Sequence, residues 1–440
     1  MGYVDIVKLV FSIITGVISL FYVQFIVFAI IGLFAKKKYP KAKVQHKYGL
    51  IIPARNEEAV VGNLIKSIQK SNYPQDKLQI FVIAHNCTDK TAEICRELGA
   101  TVYEYNNPNE CTMGYAFRYL FDRIKDDYGI ESYDGFILFN ADNLVSNDYF
   151  EKLNDAFDAC KGENIITSFR NTKNFGSNIM SGLYGTYFMY GCRFEMRGRT
   201  AVNCSTRVSG TGYVINSKLV KDGWKYVTLT EDWEFTADQI INGNKIKYCD
   251  DAVFYDEQPT SFKVMFRQRI RWQKGHLLVC NTRLKDLWKN LFKKGSYKMS
   301  TWDYIGNIMP FCLLYLFLWI AQFVLLCLAP VFCREATLWP IILDSMIGLG
   351  WTLLSGYVTF AVSALILFIV ERKRIHNVSF IKKVGIILLF PLFMGLQFVI
   401  DVVALFSKNV GWKTIPHGDT TTVEDLQGEK VEANDTKEEK

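Results

Sequence analysis

The run Tyr48-Gly-Leu-Ile-Ile-Pro-Ala-Arg-Asn-Glu-Glu58 decides the fold. Its first half is apolar without alternation, as in a strand buried on both faces, and it ends in a polar cluster after Pro53. Similar runs follow at 79–84, 101–105 and 135–139, separated by helical patterns at 57–70, 88–98 and 112–125. This alternation predicts a parallel, doubly wound α/β sheet. Ligands of such sheets sit beyond the carboxyl ends of the strands, which here read Pro53-Ala-Arg-Asn-Glu57, His85-Asn-Cys-Thr-Asp89 and Asn140-Ala-Asp-Asn143. All three are polar, so a cleft for a charged ligand is expected. Neither G-x-G-x-x-G nor G-x-x-x-x-G-K-[ST] follows the first strand, which argues against a dinucleotide site and a P-loop.

Outward from this insert the chain turns apolar. Of 440 residues half are hydrophobic and 15% aromatic, which excludes a disordered or collagen-like chain. Residues 10–34 carry no charge and lead into Lys36, Lys37, Lys38, Lys41, Lys43 and Lys47. Basic residues after the apolar run, not before it, predict an uncleaved anchor with its N-terminus outside and the insert inside. Further spans are expected at 305–332, 338–370 and 384–406, with a basic loop at 371–383 on the inner side and Arg334 and Glu335 in an outer loop. Pro391 and Asp401 interrupt the last apolar run, which leaves a spanning, re-entrant or interfacial helix open there. Between insert and spans, Leu284, Leu287, Trp288 and Leu291 share a helical face among lysines, the pattern of an interfacial helix. The expected domains are an anchor over 1–40, a cytosolic catalytic domain over 41–281, an interfacial helix over 282–304, a membrane region over 305–410 and an acidic tail over 411–440. The formal charge is +7, yet Gly418 to Lys440 holds eight acids against three lysines. That tail reads as a solvated, disordered segment without chemistry. The eleven cysteines form no C-x-x-C pair and read as reduced core residues. Basic residues clustered beside apolar spans serve topology and anionic lipid, so nucleic acid is not an expected partner.

Six motifs fall into order: Ile52-Pro-Ala-Arg-Asn-Glu-Glu58, Ala84-His-Asn-Cys-Thr-Asp-Lys-Thr-Ala92, Asn140-Ala-Asp142, Gly210-Thr-Gly212, Thr230-Glu-Asp232 and Gln268-Arg-Ile-Arg-Trp272. Together, and with the flanking spans, they resemble the membrane-embedded family 2 glycosyltransferases, among them cellulose, hyaluronan, chitin and poly-N-acetylglucosamine synthases. The resemblance implies a GT-A fold, a nucleoside diphosphate sugar donor such as a UDP-sugar, Mg²⁺ or Mn²⁺, and an inverting displacement.

An inverting transfer needs one carboxylate on the acceptor hydroxyl, and Asp232, with Glu231 beside it, is the candidate base. The alternative is a helix start, Thr230 capping and the two acids complementing the dipole. Asp142, and Asn140 in the place of the first acid of D-x-D, are the candidate metal ligands; an Asx turn is the alternative for Asp142. Gln268, Arg271 and Trp272 share a helical face that suits phosphate and a sugar ring, with Arg269 beside them. In the family, the tryptophan matching Trp272 lies beneath the acceptor sugar. Asn56, Glu57 and Asp89 match the nucleotide-pocket positions, helix-start roles being the alternative for Glu57 and Asp89. Gly212 completes the binding set. His85 replaces a usual aspartate and could pair with a phosphate, and Thr112-Met-Gly-Tyr-Ala-Phe117 stands where G-K-G-x-A-L is common; shifted donor specificity is the expectation.

The expected activity is extension of a cell-surface polysaccharide passed through the chain's own spans in the plasma membrane, with accessory export proteins as possible partners. The alternatives are single addition to a lipid acceptor and a weakly active membrane partner of another synthase.

Overall fold

A computed structural model of the chain describes residues 2–162, 164–295, 297–333, 337–408, 410–411, 415 and 417–426. Helix α1 (Tyr3–Phe34) leads into β1 (Tyr48–Ala54), α2 (Val61–Gln69), β2 (Leu78–His85), α3 (Thr91–Glu97), β3 (Thr101–Tyr105), α4 (Met113–Asp127) and β4 (Gly135–Leu138). Then come β5 (Leu144–Val145), α5 (Tyr149–Ala159), β6 (Ile165–Thr172), α6 (Ile179–Tyr190), a π turn at Gly191–Met196, α7 (Arg197–Ala201), β7 (Tyr213–Asn216), α8 (Glu231–Ile241) and β8 (Ile246–Asp256). The remainder is helical: α9 (Phe262–Phe292), α10 (Lys298–Ile308), α11 (Phe311–Cys327), α12 (Ala329–Phe332), α13 (Leu338–Val370) and α14 (Phe380–Phe406).

The eight strands form one sheet in the order β3-β2-β1-β4-β7-β6-β8-β5. The half from β3 to β4 is parallel, as the alternation predicts. The other half is not: β7 runs antiparallel to both neighbours, β5 antiparallel to β8, and only β6 and β8 are parallel. Leu50, Ile51 and Ile52 are fully buried because both faces of β1 are covered. One face meets Leu64 and Ile68 of α2 and Phe150 and Phe157 of α5. The other meets Phe117 and Phe121 of α4 with Trp224 and Phe235. All eleven cysteines are unpaired.

Four helical stretches, Tyr3–Phe34, Phe311–Phe332, Leu338–Val370 and Phe380–Phe406, are long and apolar enough to cross a membrane. The first is tied closely to the sheet domain. A Cβ on Gly32 would lie 2.4 Å from the Arg193 carbonyl, and one on Gly198 would lie 2.1 Å from the Phe28 carbonyl, so α1 and the π turn touch backbone to backbone. Arg193 and Arg197 donate to the carbonyls of Leu33 and Ala35, both at the end of α1 (2.8 and 2.7 Å). Buried Asp250 of β8 gathers Lys36, Arg197 and Arg374 at 3.5, 3.7 and 3.2 Å. The end of α1 and the loop before α14 therefore lie on one side, with the catalytic sheet.

Three sequence expectations need correction. The 282–304 interfacial segment is no separate unit: α9 continues through it to Phe292, burying Val279 and Leu287 against Ile305 and Ile308 of α10. The second apolar stretch, expected from 305, starts only at Phe311, because Pro310 breaks it from α10. The acidic tail is not wholly solvated. Val423 and Leu426 are buried, the latter against Leu144 and Tyr255. Residues 427–440 of the expected disordered tail, and Arg334 and Glu335 of the outer loop, lie outside the described residues.

Candidate active site

The carboxyl ends of β1, β2, β4, β6 and β8 open on one cleft, which α9 closes from the side of α14. Glu57, His85, Asn140, Asp142, Gln268 and Arg271 line it, joined by Arg170, Glu257 and, from the tail, Ile415 and His417. Asp142 is 3% exposed, and its Oδ2 accepts the Glu257 amide at 3.1 Å. Burial pushes its pKa to about 7; Asp256 adds to the rise while His417 and Lys173 oppose it. Asn140 Oδ1 is buried with no hydrogen-bond partner among the described residues. An orphaned oxygen beside a buried carboxylate is a donor pair suited to a hard divalent cation. No group of three His, Cys, Asp or Glu among the described residues can hold a metal. The other coordination positions of Mg²⁺ or Mn²⁺ would thus fall to diphosphate oxygens and water. Asp256 is no ligand: it accepts from Asn143 (2.8 Å), Arg170 (2.7 Å) and Gln258 (2.8 Å), and so holds the Asn140–Asn143 turn on β8.

Thr230-Glu-Asp232 does start a helix, α8, yet Thr230 makes no side-chain cap bond and its Oγ1 is buried without a partner among the described residues. The cap reading of Thr230 therefore fails. A Cβ on Gly275 would come within 2.5 Å of Thr230 Oγ1, so α8 and α9 are pressed together at this point. Burial raises Asp232 to about 6 and Glu231 to about 8, the Asp232 charge adding to the rise of Glu231, while Arg271 pulls both down. Arg271 also donates to the Leu229 carbonyl at 3.0 Å, standing between the T-E-D turn and the cleft. Gln268 Oε1 accepts from Tyr184 at 2.9 Å. Trp272 meets Tyr184 and Phe188 edge to face at 6.2 and 6.1 Å, giving an aromatic corner at the membrane side.

Four expected site residues lie away from the cleft lining, while His85 is part of it. Arg269 turns away from the cleft to α14, donating to the Phe393 carbonyl and Gln397 Oε1 at 2.9 and 2.8 Å. Asn56 Oδ1 accepts the Thr88 amide at 2.8 Å, and Asp89 accepts the amides of Glu58 and Thr91 at 3.2 and 3.1 Å; both tie the β1 and β2 loops together. Gly212, at φ +66°, lies where a Cβ would be 2.1 Å from the Phe254 ring, so it serves sheet packing. His85 donates Nε2–H to the Glu110 carbonyl at 2.6 Å and stacks on Tyr105; burial lowers its pKa, leaving a neutral wall and no phosphate partner.

The tail supplies what the sequence did not disclose. His417 Nδ1 is 2.9 and 3.0 Å from the two Glu57 oxygens, and Nε2 is 4.0 Å from Asp142 Oδ2. Burial disfavours its charge, but Asp142 and Glu57 outweigh that and raise its pKa to about 10. The amides of Gly418 and Asp419 donate to Glu257, and Lys173 Nζ reaches the Asp419 carbonyl at 2.8 Å. The space enclosed beneath is about 140 Å³, below the roughly 300–1,000 Å³ of ordinary ligand pockets. An acid pair at the end of a strand, Asp256-Glu257, was the one sequence signal for this corner.

The model of the family described as glycosyltransferase like family 2 matches residues 46–275. Among curated relatives, the probable glycosyltransferase YdaM of Bacillus subtilis (strain 168) is 24% identical over 242 residues, 53% of this chain and 56% of that protein. The beta-monoglucosyldiacylglycerol synthase of Nostoc sp. (strain PCC 7120) is 23% identical over 283 residues, 61% of this chain and 57% of that protein. The chain thus spans little more than half the length of these relatives. Among solved structures, the mannosyltransferase PcManGT from Pyrobaculum calidifontis, in complex with GDP-Man and Mn²⁺, shares the fold with a TM-score of 0.53 at 14% identity, covering 86% of this chain and 100% of that one.

Proposed function

Because the chain belongs to the glycosyltransferase like family 2, we propose that it moves a sugar, with inversion, from a nucleoside diphosphate sugar to an acceptor presented at the membrane. The observation that carries this reading is the convergence of Glu57, Asn140, Asp142, Gln268 and Arg271 on one cleft, with Asp232 behind Arg271. Asp232 takes the proton of the acceptor hydroxyl as its oxygen bonds to the anomeric carbon. The bond from that carbon to the diphosphate breaks, and its electron pair leaves on the phosphate oxygen. Arg271 and Arg170 offer donors to that oxygen. Asn140 and Asp142 would hold Mg²⁺ or Mn²⁺, whose charge neutralises a departing diphosphate. Glu57 and the neutral His85 wall fit the nucleoside, preferentially uridine.

The acceptor we favour is a growing cell-surface glycan, since the Trp272 corner suits a sugar ring; export through the chain's own spans is the fuller form of this reading. Single addition to a lipid is the second reading. It is favoured by the packing of Tyr184 on Phe393 of α14, 5.4 Å between ring centroids, which sets the aromatic corner against an apolar helix. The glycolipid-synthase relative points the same way. Membranes carrying the protein, incubated with labelled UDP-sugars and Mn²⁺, separate the two by product size: polymer against one or two sugars. Chelation, or Asp142→Asn, is expected to abolish either product, and incorporation undiminished in excess chelator would refute the metal-assisted mechanism.

A further inference from the structure

Arg269, 6% exposed, and Asp401, 2% exposed, carry opposite charges in an apolar setting, and no direct bond joins them. Gln397 stands between. Its Oε1 accepts from Arg269 Nη2 at 2.8 Å, and its Nε2 donates to Asp401 Oδ1 and to Gln273 Oε1, the latter at 3.1 Å. On α14, Phe393, Gln397 and Asp401 are spaced i, i+4, i+8; on α9, Arg269 and Gln273 are spaced i, i+4, so two stripes face each other. Lys274 extends the seam to the Ala404 carbonyl at 3.3 Å. Cys312 of α11 and Tyr22 of α1 are the other polar neighbours of Asp401.

We propose that Arg269, Gln397 and Asp401 form an amide-bridged ion pair that fixes the rotation of α9 and thereby places Gln268, Arg271 and Trp272 in the cleft. All three are positioning residues, since none touches the cleft. At 100° per residue the cleft-facing group lies about a third of a turn from Arg269 and Gln273. A 20° rotation of α9 would carry a side-chain tip 6 Å from the axis through about 2 Å, and errors of ~1 Å in reacting groups can cost ~10²-fold in rate. The bridging amide has one orientation that satisfies both charges. Loss of either charge leaves the other buried without a counter-charge, whereas loss of both removes that imbalance and leaves the Gln397 amide bonded to Gln273.

This inference rests on the transferase reading, and the test keeps the two apart. The full chain, in nanodiscs, is compared as wild type, Arg269→Met, Asp401→Leu, the double variant and the conservative Arg269→Lys. UDP binding with Mn²⁺, UDP release from UDP-glucose or UDP-N-acetylglucosamine by water, incorporation of labelled sugar and the thermal midpoint are measured. Each single charge loss is expected to cut incorporation ~tenfold or more while UDP binding stays within about twofold and hydrolysis falls less than incorporation. The double variant is expected to recover most of the incorporation, and Arg269→Lys part of it. Losses that simply add in the double variant, or UDP binding and incorporation falling together, would overturn the proposal. Should the wild type use neither donor, the functional reading fails, and the midpoints then decide the pair: mutual rescue supports it and additive losses discard it.

Discussion

Glu231 is buried and its neighbour Asp232 half-buried, and two adjacent carboxylates so placed do not ionise together readily. Asp232 is raised to about 6 and Glu231 to about 8, so near neutrality Asp232 is the ionised member and can accept a proton. A base must be deprotonated to act, so transfer is expected to rise with pH through about 6 and to level off above it, in a profile of kcat against pH. Asp232→Asn should lower transfer by ~10² to 10⁴ and leave UDP affinity unchanged; near-normal transfer would reduce T-E-D to a helix start. Gly275→Ala tests the same corner from the other helix. The added methyl meets stiff, β-branched Thr230, so transfer should fall ~tenfold with UDP binding kept. Periodicity made part of this legible, since spacing alone put Gln268, Arg271 and Trp272 on one face; Arg269, expected beside them, faces α14 instead. The shared pocket of Thr230 and Gly275 was not legible, because it depends on which helices cross.

At the level of elements, β1 to β4 could be read from the chain because each is a short apolar run ending in polar residues. The other half of the sheet could not: β5 has two residues and β7 four, and the antiparallel direction of β7 follows from a long excursion through α6 and α7. The tail escaped for a different reason. Its docking uses backbone amides on Glu257 and one imidazole on Glu57, which composition does not register. A charged His417 among the acids proposed to hold the metal opposes a second cation. His417→Ala is therefore expected to tighten Mn²⁺ binding in the absence of donor several-fold or more, about one kcal/mol by removal of like-charge repulsion. A paramagnetic-resonance titration at pH 7 measures this. The difference should persist to pH 9, because His417 loses its proton only near 10; an unchanged affinity would mean that the imidazolium does not guard the acids.

For the whole molecule, both ends of α14 bear on the sheet domain. Before it, Arg374 pairs with Asp250; in its first turn, Lys382 reaches the Gly176 carbonyl at 2.6 Å; and in the tail that follows it, His417 reaches Glu57. A helix of 27 residues is about 40 Å long, and its last turns also meet α9, where Lys274 reaches the Ala404 carbonyl at 3.3 Å. A cysteine at Thr421 should be labelled from the same side as the sheet domain, which the lysine distribution leads us to expect in the cytoplasm. Labelling from the outside only would contradict both the tail contacts and the sidedness.

The backbone contact of Gly32 with Gly198 bears on how this enzyme can be handled. Phe25 and Phe28 of α1 cover the guanidinium of Arg199, at 5.4 and 5.2 Å, and that group in turn pairs with Asp303 at 2.7 Å. The anchor is thus a wall of the catalytic unit and not a tether to it. Excising residues 1–40 to obtain a water-soluble enzyme would strip the lid from a buried ion cluster and expose a glycine-lined trough made to receive a helix.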